Sequence, residues 1–174
     1  MKSDVIRIDN QGRGFQEALE QTEMAAKFRG LSHKEELRLR LCTEEMLSLA
    51  RSVTGELQAS FWLESEGKKY ELHLSTKTVM DRAKRERLIA SASSRKNEAA
   101  NSFLGKLRDA FEAAMVSEPN TGIPDEALDD LANHVIEIPE WDEYEQSILR
   151  KAADNVKIAI RGGVVDMTVS KSFE

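Results

Sequence analysis

Residues Ser32 to Thr54 read SHKEELRLRLCTEEMLSLARSVT, the longest uninterrupted helical pattern in the chain. Leu39, Cys42, Met46, Leu49, Ala50 and Val53 recur at three- and four-residue steps, giving one apolar stripe broad enough to lie on a sheet or another helix. Ser32 stands where an N-cap hydroxyl accepts from free backbone amides, and Glu35 three residues later completes an S-x-x-E capping box. Gly55 ends the pattern. Two adjacent carboxylates, Glu44 and Glu45, sit in its middle; as solvated helix-face residues they would pair with Arg40 or Lys34.

Upstream, Val5, Ile6, Arg7 and Ile8 predict a short edge strand over Asp4–Asp9, and Gly12 and Gly14 break it. Phe15 to Arg29 has helical spacing with Gly30 at the C-cap, so this helix meets the longer one through a very short joint and must pack beside it. Downstream the period changes to two. Leu57, Ala59, Phe61 and Leu63 face one way, Glu66-Gly67 turns the chain, and Tyr70, Leu72 and Leu74 answer from the return strand. Trp62 and His73 fall on the opposite face. The order then predicted is a basic helix over Met80–Ser94, a helix over Glu98–Val116, an irregular acidic stretch over Glu118–Pro139 holding all three prolines, and a helix over Glu140–Ala153. A last hairpin spans Asn155–Phe173 and turns at Gly162-Gly163. The fold class expected is α+β: one domain over residues 1–174, a two-layer sandwich whose mixed, mostly antiparallel sheet is covered by helices on one face.

The composition, 40% hydrophobic and 32% charged, is that of a globular protein. No apolar run approaches the roughly 20 residues that span a bilayer, and MKSDVIRIDN has no signal-peptide core, so the expectation is a cytoplasmic protein without membrane contact. The net charge of -6 argues against a nucleic-acid partner. The single cysteine, Cys42, lies on the apolar stripe and reads as a buried, inert thiol. Arg82, Lys84, Arg85 and Arg87 form a local basic run, read as a solvated helix face or as a docking surface for an acidic partner. His33, His73 and His134 have no metal-ligand spacing, so no metal site is expected.

Three stretches resemble the Bergerat-fold ATPases, the group of gyrase B, the histidine-kinase catalytic domain and the bacterial anti-sigma-factor serine kinases. LRLCTEEMLSLARSV (Leu39–Val53) is similar to their first ATP-box helix, ELQASFWLESEGKKYELHL (Glu56–Leu74) to the hairpin after it, and ILRKAADNVKIAIRGGVVDMTVSKSF (Ile148–Phe173) to the last helix and hairpin of the anti-sigma kinases. The resemblance implies a catalytic Glu and, one turn later, an Asn that ligates the magnesium of Mg-ATP; the four-residue step puts both on one helix face. Matching registers places Glu45 at the Glu position and Leu49 at the Asn position. The alternative register pairs Glu44 with Ser48.

The chain departs from the family at two further places. The Asp-x-Gly-x-Gly stretch is replaced by LSTKTVMDRAK, with Asp81 several residues late, and the phosphate-cradling glycine turn by PEWDEYEQ. A helical excursion over about residues 79–140 stands in place of the ATP lid. The function expected is therefore a degenerate anti-sigma-kinase-like module, without cofactor, that regulates by contact with a protein such as a sigma factor or its antagonist, alone or as a homodimer. Arg82, Arg85 and Arg87 are the candidate partner contacts. The alternative is an ATP-dependent serine kinase with Glu45 as base and Glu44, Ser48, Lys77, Asp81 and Arg82 around Mg-ATP; a second is a small-ligand sensor.

Overall fold

A computed structural model of the chain describes residues 1–9, 11–54, 58–100 and 148–174. The elements in order are β1 (Ile6–Asp9), α1 (Phe15–Phe28), α2 (His33–Thr54), β2 (Gln58–Glu66), β3 (Lys69–Lys77), α3 (Arg82–Ser91), a 3-10 turn (Glu98–Ala100), β4 (Asn155–Arg161) and β5 (Val164–Ser172). The strands form one sheet of order β1-β2-β3-β5-β4, and all four described pairings are antiparallel. The architecture is α+β, as the alternation of helical and strand periods predicts. Leu57 and the stretches predicted between Asn101 and Ser147 lie outside the described residues, as does most of the helix predicted over Glu140–Ala153, of which residues 148–152 are helical.

Alternation along each strand decides which face is dry. Phe61 and Leu63 of β2, Leu72 and Leu74 of β3, Ile158 of β4 and Met167 of β5 point to the helices and are buried. The stripe predicted on α2 meets them: Leu39, Cys42, Met46, Leu49, Ala50 and Val53 all belong to this core. Burial pushes the Cys42 thiol up to about 11, which keeps it protonated and unreactive near neutral pH.

Local signals fix the ends of both long helices. The Ser32 N–H donates to Glu35 Oε2 at 2.7 Å and the Glu35 N–H to Ser32 Oγ at 3.4 Å, the reciprocal capping box. At the end of α1, Gly30 has a φ of 68° and its N–H reaches the Lys27 carbonyl, while the Leu31 N–H reaches that of Ala26, a Schellman closure that turns the chain directly into α2. The two helices then pack along small residues, with Thr22 and Thr43 hydroxyls 3.0 Å apart inside the seam. Arg40 pairs with Glu23 across that seam rather than with Glu44 or Glu45.

Both sheet edges are occupied. At β1, Gly14 precedes α1 with a φ of 79°, and a Cβ there would stand 2.1 Å from the Arg7 carbonyl oxygen, so only glycine permits this approach of helix to strand. At β4, the Asn97 side chain acts as a piece of strand. Its Nδ2 donates to the Ile160 carbonyl at 3.0 Å and its Oδ1 accepts from the Ile160 N–H at 2.8 Å. Ser93 does the same at Val156, accepting through its hydroxyl and donating through its backbone, both at 2.8 Å. These bonds satisfy groups that an edge strand would otherwise offer to another chain.

The hairpin turns follow the glycines, with one shift. Glu66 pairs with Lys69, so Gly67-Lys68 forms the turn rather than Glu66-Gly67. Gly67 takes the first turn position with a φ of 57°, and Gly162 does likewise with 59°.

Candidate functional site

The residues singled out on α2 divide by helix geometry. Leu37, Leu41, Glu44 and Ser48 follow one another at four-, three- and four-residue steps and form the stripe that faces away from the core. Leu37, Leu41 and Glu44 are exposed and Ser48 is half-buried. Glu45 is half-buried on the flank of the core stripe, and Leu49, one turn on, is 5% exposed within it. The register that pairs Glu44 with Ser48 thus points to solvent, and the register that pairs Glu45 with Leu49 ends in hydrocarbon.

Lys77 stands apart from all of these. Tyr70, Leu72, Leu74 and Thr76 of β3 point toward the helices, so alternation sends Lys77 to the other face of the sheet. It lines an open cleft there, with no α2 residue among the described lining residues. A base on α2 and a phosphate-holding Lys77 therefore do not meet in one site.

The basic helix α3 packs beside α2 and β4 through Leu88, which belongs to the core. Asp81 is its N-cap, its carboxylate accepting from the Lys84 N–H at 2.8 Å. This gives the late aspartate a structural role at the start of α3. Arg82 is exposed and its Nε lies 2.8 Å from Glu86. Arg85 is only 7% exposed, and Arg87 is half-buried. Arg82 and Arg85, three residues apart, lie about 60° apart around the axis, whereas Arg87, two residues further on, turns to another side of the helix.

The α2 position that the resemblance assigns to a magnesium ligand does not fit that role. A magnesium ion demands oxygen ligands, and the position assigned to one carries a buried leucine. Among the described residues no three His, Cys, Asp or Glu side chains gather as a metal set. None of the described helices is long and apolar enough to cross a membrane.

The open face of the sheet holds the polar order that sequence reading left unassigned. Trp62 and His73 are cross-strand partners with rings stacked at 5.0 Å and 11°, and His73 Nδ1 lies 3.2 Å from the Thr168 hydroxyl. Burial lowers the His73 imidazolium from its ordinary value, against the opposing pull of Glu64 and Glu71. In the next row, Ser75 donates to Asp166 at 2.7 Å. The only sequence signal for this ladder was the strand period, which put Trp62 and His73 on one face. The sequence of this chain matches neither a known family model nor a curated protein.

Proposed function

We propose that this chain is a degenerate anti-sigma-kinase-like module of the Bergerat type, a cytoplasmic bacterial regulator that works by protein contact without ATP hydrolysis or phosphoryl transfer. Its partner is a sigma factor or a sigma-antagonist-like protein. The observation that carries the reading is Leu49. It fills with core hydrocarbon the place where the resemblance calls for the magnesium ligand, so the helix serves as scaffold.

Contact with a protein is supported by what the helices leave outside. Met24 and Phe28 on α1 are 64% and 75% exposed, one helical turn apart, and Leu37 and Leu41 on α2 are exposed at the same spacing. Large apolar side chains turned outward on neighbouring helices are the usual anchors of protein contact.

The test has two readouts. Thermal melting with Mg-ATP at about 10 mM is expected to leave the midpoint unchanged, since a ligand at 100 times its dissociation constant would add about 2.7 kcal/mol. A magnesium-dependent rise would overturn the non-catalytic reading. A complex with a sigma factor or antagonist from the same genome is expected to weaken roughly tenfold or more on Phe28→Glu; unchanged affinity removes α1 as the contact.

A further inference from the structure

The cleft on the open face of the sheet has a volume of about 1200 Å³. Its floor is the end of the central hairpin, with Gln58, Ser60, Ser75 and Lys77 on one side of the pleat. One wall is the β1–α1 turn, which brings Arg13, and the other is the segment after β3, which brings Thr78, Val79 and Lys84. The walls are held from behind. The Thr78 N–H donates to the Gly163 carbonyl at 2.8 Å, and a Cβ on Gly163 would sit 2.8 Å from the Thr78 oxygen, so strand end and turn are in direct backbone contact.

The charges on this lining run against those of the whole molecule. The chain carries -6, yet among the described lining residues three cationic side chains, Arg13, Lys77 and Lys84, face the cleft with Asp9 as the one carboxylate. That carboxylate is already committed. It accepts from the backbone N–H groups of Gln11 and Arg13 and pairs with Arg13 Nε at 2.7 Å. Burial alone would raise it, but the Arg13 bonds, with that from Gln11, hold it below its ordinary value. Lys84 Nζ donates to the Val79 carbonyl at 3.1 Å and keeps only a distant 3.9 Å approach to Asp81. Lys77 is exposed and forms no ion pair among the described residues.

Among the described lining residues, a cationic ligand would find no carboxylate outside the Asp9–Arg13 pair, and an apolar one would meet Val79 and Val164 among ammonium groups and hydroxyls. We propose that this cleft binds a small polyanion, a molecule carrying two or more phosphate or carboxylate groups. Lys77 and Lys84 supply charge-assisted donors to its anionic oxygens, and Gln58 and Ser60 supply neutral ones. Lys77 on the floor and Lys84 on a wall favour a ligand with more than one anionic group. The preset walls reduce what binding must order. This site is independent of the regulatory reading, since it lies on the sheet face away from α2.

Calorimetric titration of the full chain at low salt, with pyrophosphate and with citrate, tests it. At least one is expected to bind with a dissociation constant below about 1 mM. Pyrophosphate alone would assign phosphate chemistry, and citrate alone carboxylate chemistry. The double variant Lys77→Gln/Lys84→Gln should weaken binding about tenfold or more, whereas Lys34→Gln, an exposed charge removed from α2, should leave it within about twofold. Lys77→Glu, at an exposed site with no ion pair to lose, gives the same loss if the double variant folds poorly. No binding of either anion to the wild type at about 10 mM, or equal weakening by Lys34→Gln, overturns the proposal.

Discussion

The two faces of the sheet use the same strands for opposite purposes. Phe61 and Trp62 are neighbours on β2, and so are Leu74 and Ser75 on β3, yet the first of each pair is sealed under the helices and the second belongs to a polar ladder. The helix face is where the Bergerat resemblance would put chemistry, and here it is filled by Leu49, Leu88 and their neighbours. The open face carries the lysines, hydroxyls and imidazole that could engage a ligand. The difference teaches that one set of strands can seal a core on one side and gather polar groups on the other.

Substitution of the adjacent pair on β2 is the strongest way to break this comparison. Phe61→Ala is expected to cost about 3–5 kcal/mol in denaturant unfolding, because it empties a fully buried space. Trp62→Ala should cost about 1–2 kcal/mol, because it removes a half-buried ring and its stack on His73. Equal losses would mean that the open face is covered as thoroughly as the helix face.

Asn97→Ala tests how the covered layer is closed at its edge. It leaves the N–H and C=O of Ile160 without their side-chain partners, with an expected cost of about 1–3 kcal/mol and a greater tendency to self-associate through β4. Unfolding and light scattering read the two effects. A neutral substitution would show that β4 is closed by something other than this side chain.

The smallest effect is the pH dependence of the open face. The unfolded His73 side chain takes up a proton near 6.5, and the folded one does so only at lower pH. Stability from the neutral ring is therefore complete above that value and is lost as pH falls through the lower folded value. His73→Gln should flatten the fall in stability between about pH 7 and 5, measured by urea unfolding, and an unchanged slope would place that titration elsewhere.

Much of the fold was legible because its signals are local. The S-x-x-E box, the Gly30 stop and the three- and four-residue steps define α2 without reference to anything distant, and strict alternation defines both hairpins. The site was less legible. Nothing near Asn97 in the sequence shows that it will complete Ile160, 63 residues away. The basic run of α3 does not show that packing against α2 and β4 buries Arg85, and Arg40 found Glu23 on the next helix instead of a carboxylate on its own. The cleft joins residues from β1, β2, β3 and the β4–β5 turn, so no window of sequence contains it.

By itself, then, the sequence determined the capped central helix, the periods of the strands and which side chains share a face, since each depends on neighbours a few residues away. Only the tertiary structure decided the strand order, that Arg85 would be buried, and that Lys77 would stand across the sheet from Glu45. Those outcomes depend on how faces stack and which distant groups meet, and the energies that settle them come from burial shared among elements far apart in the chain.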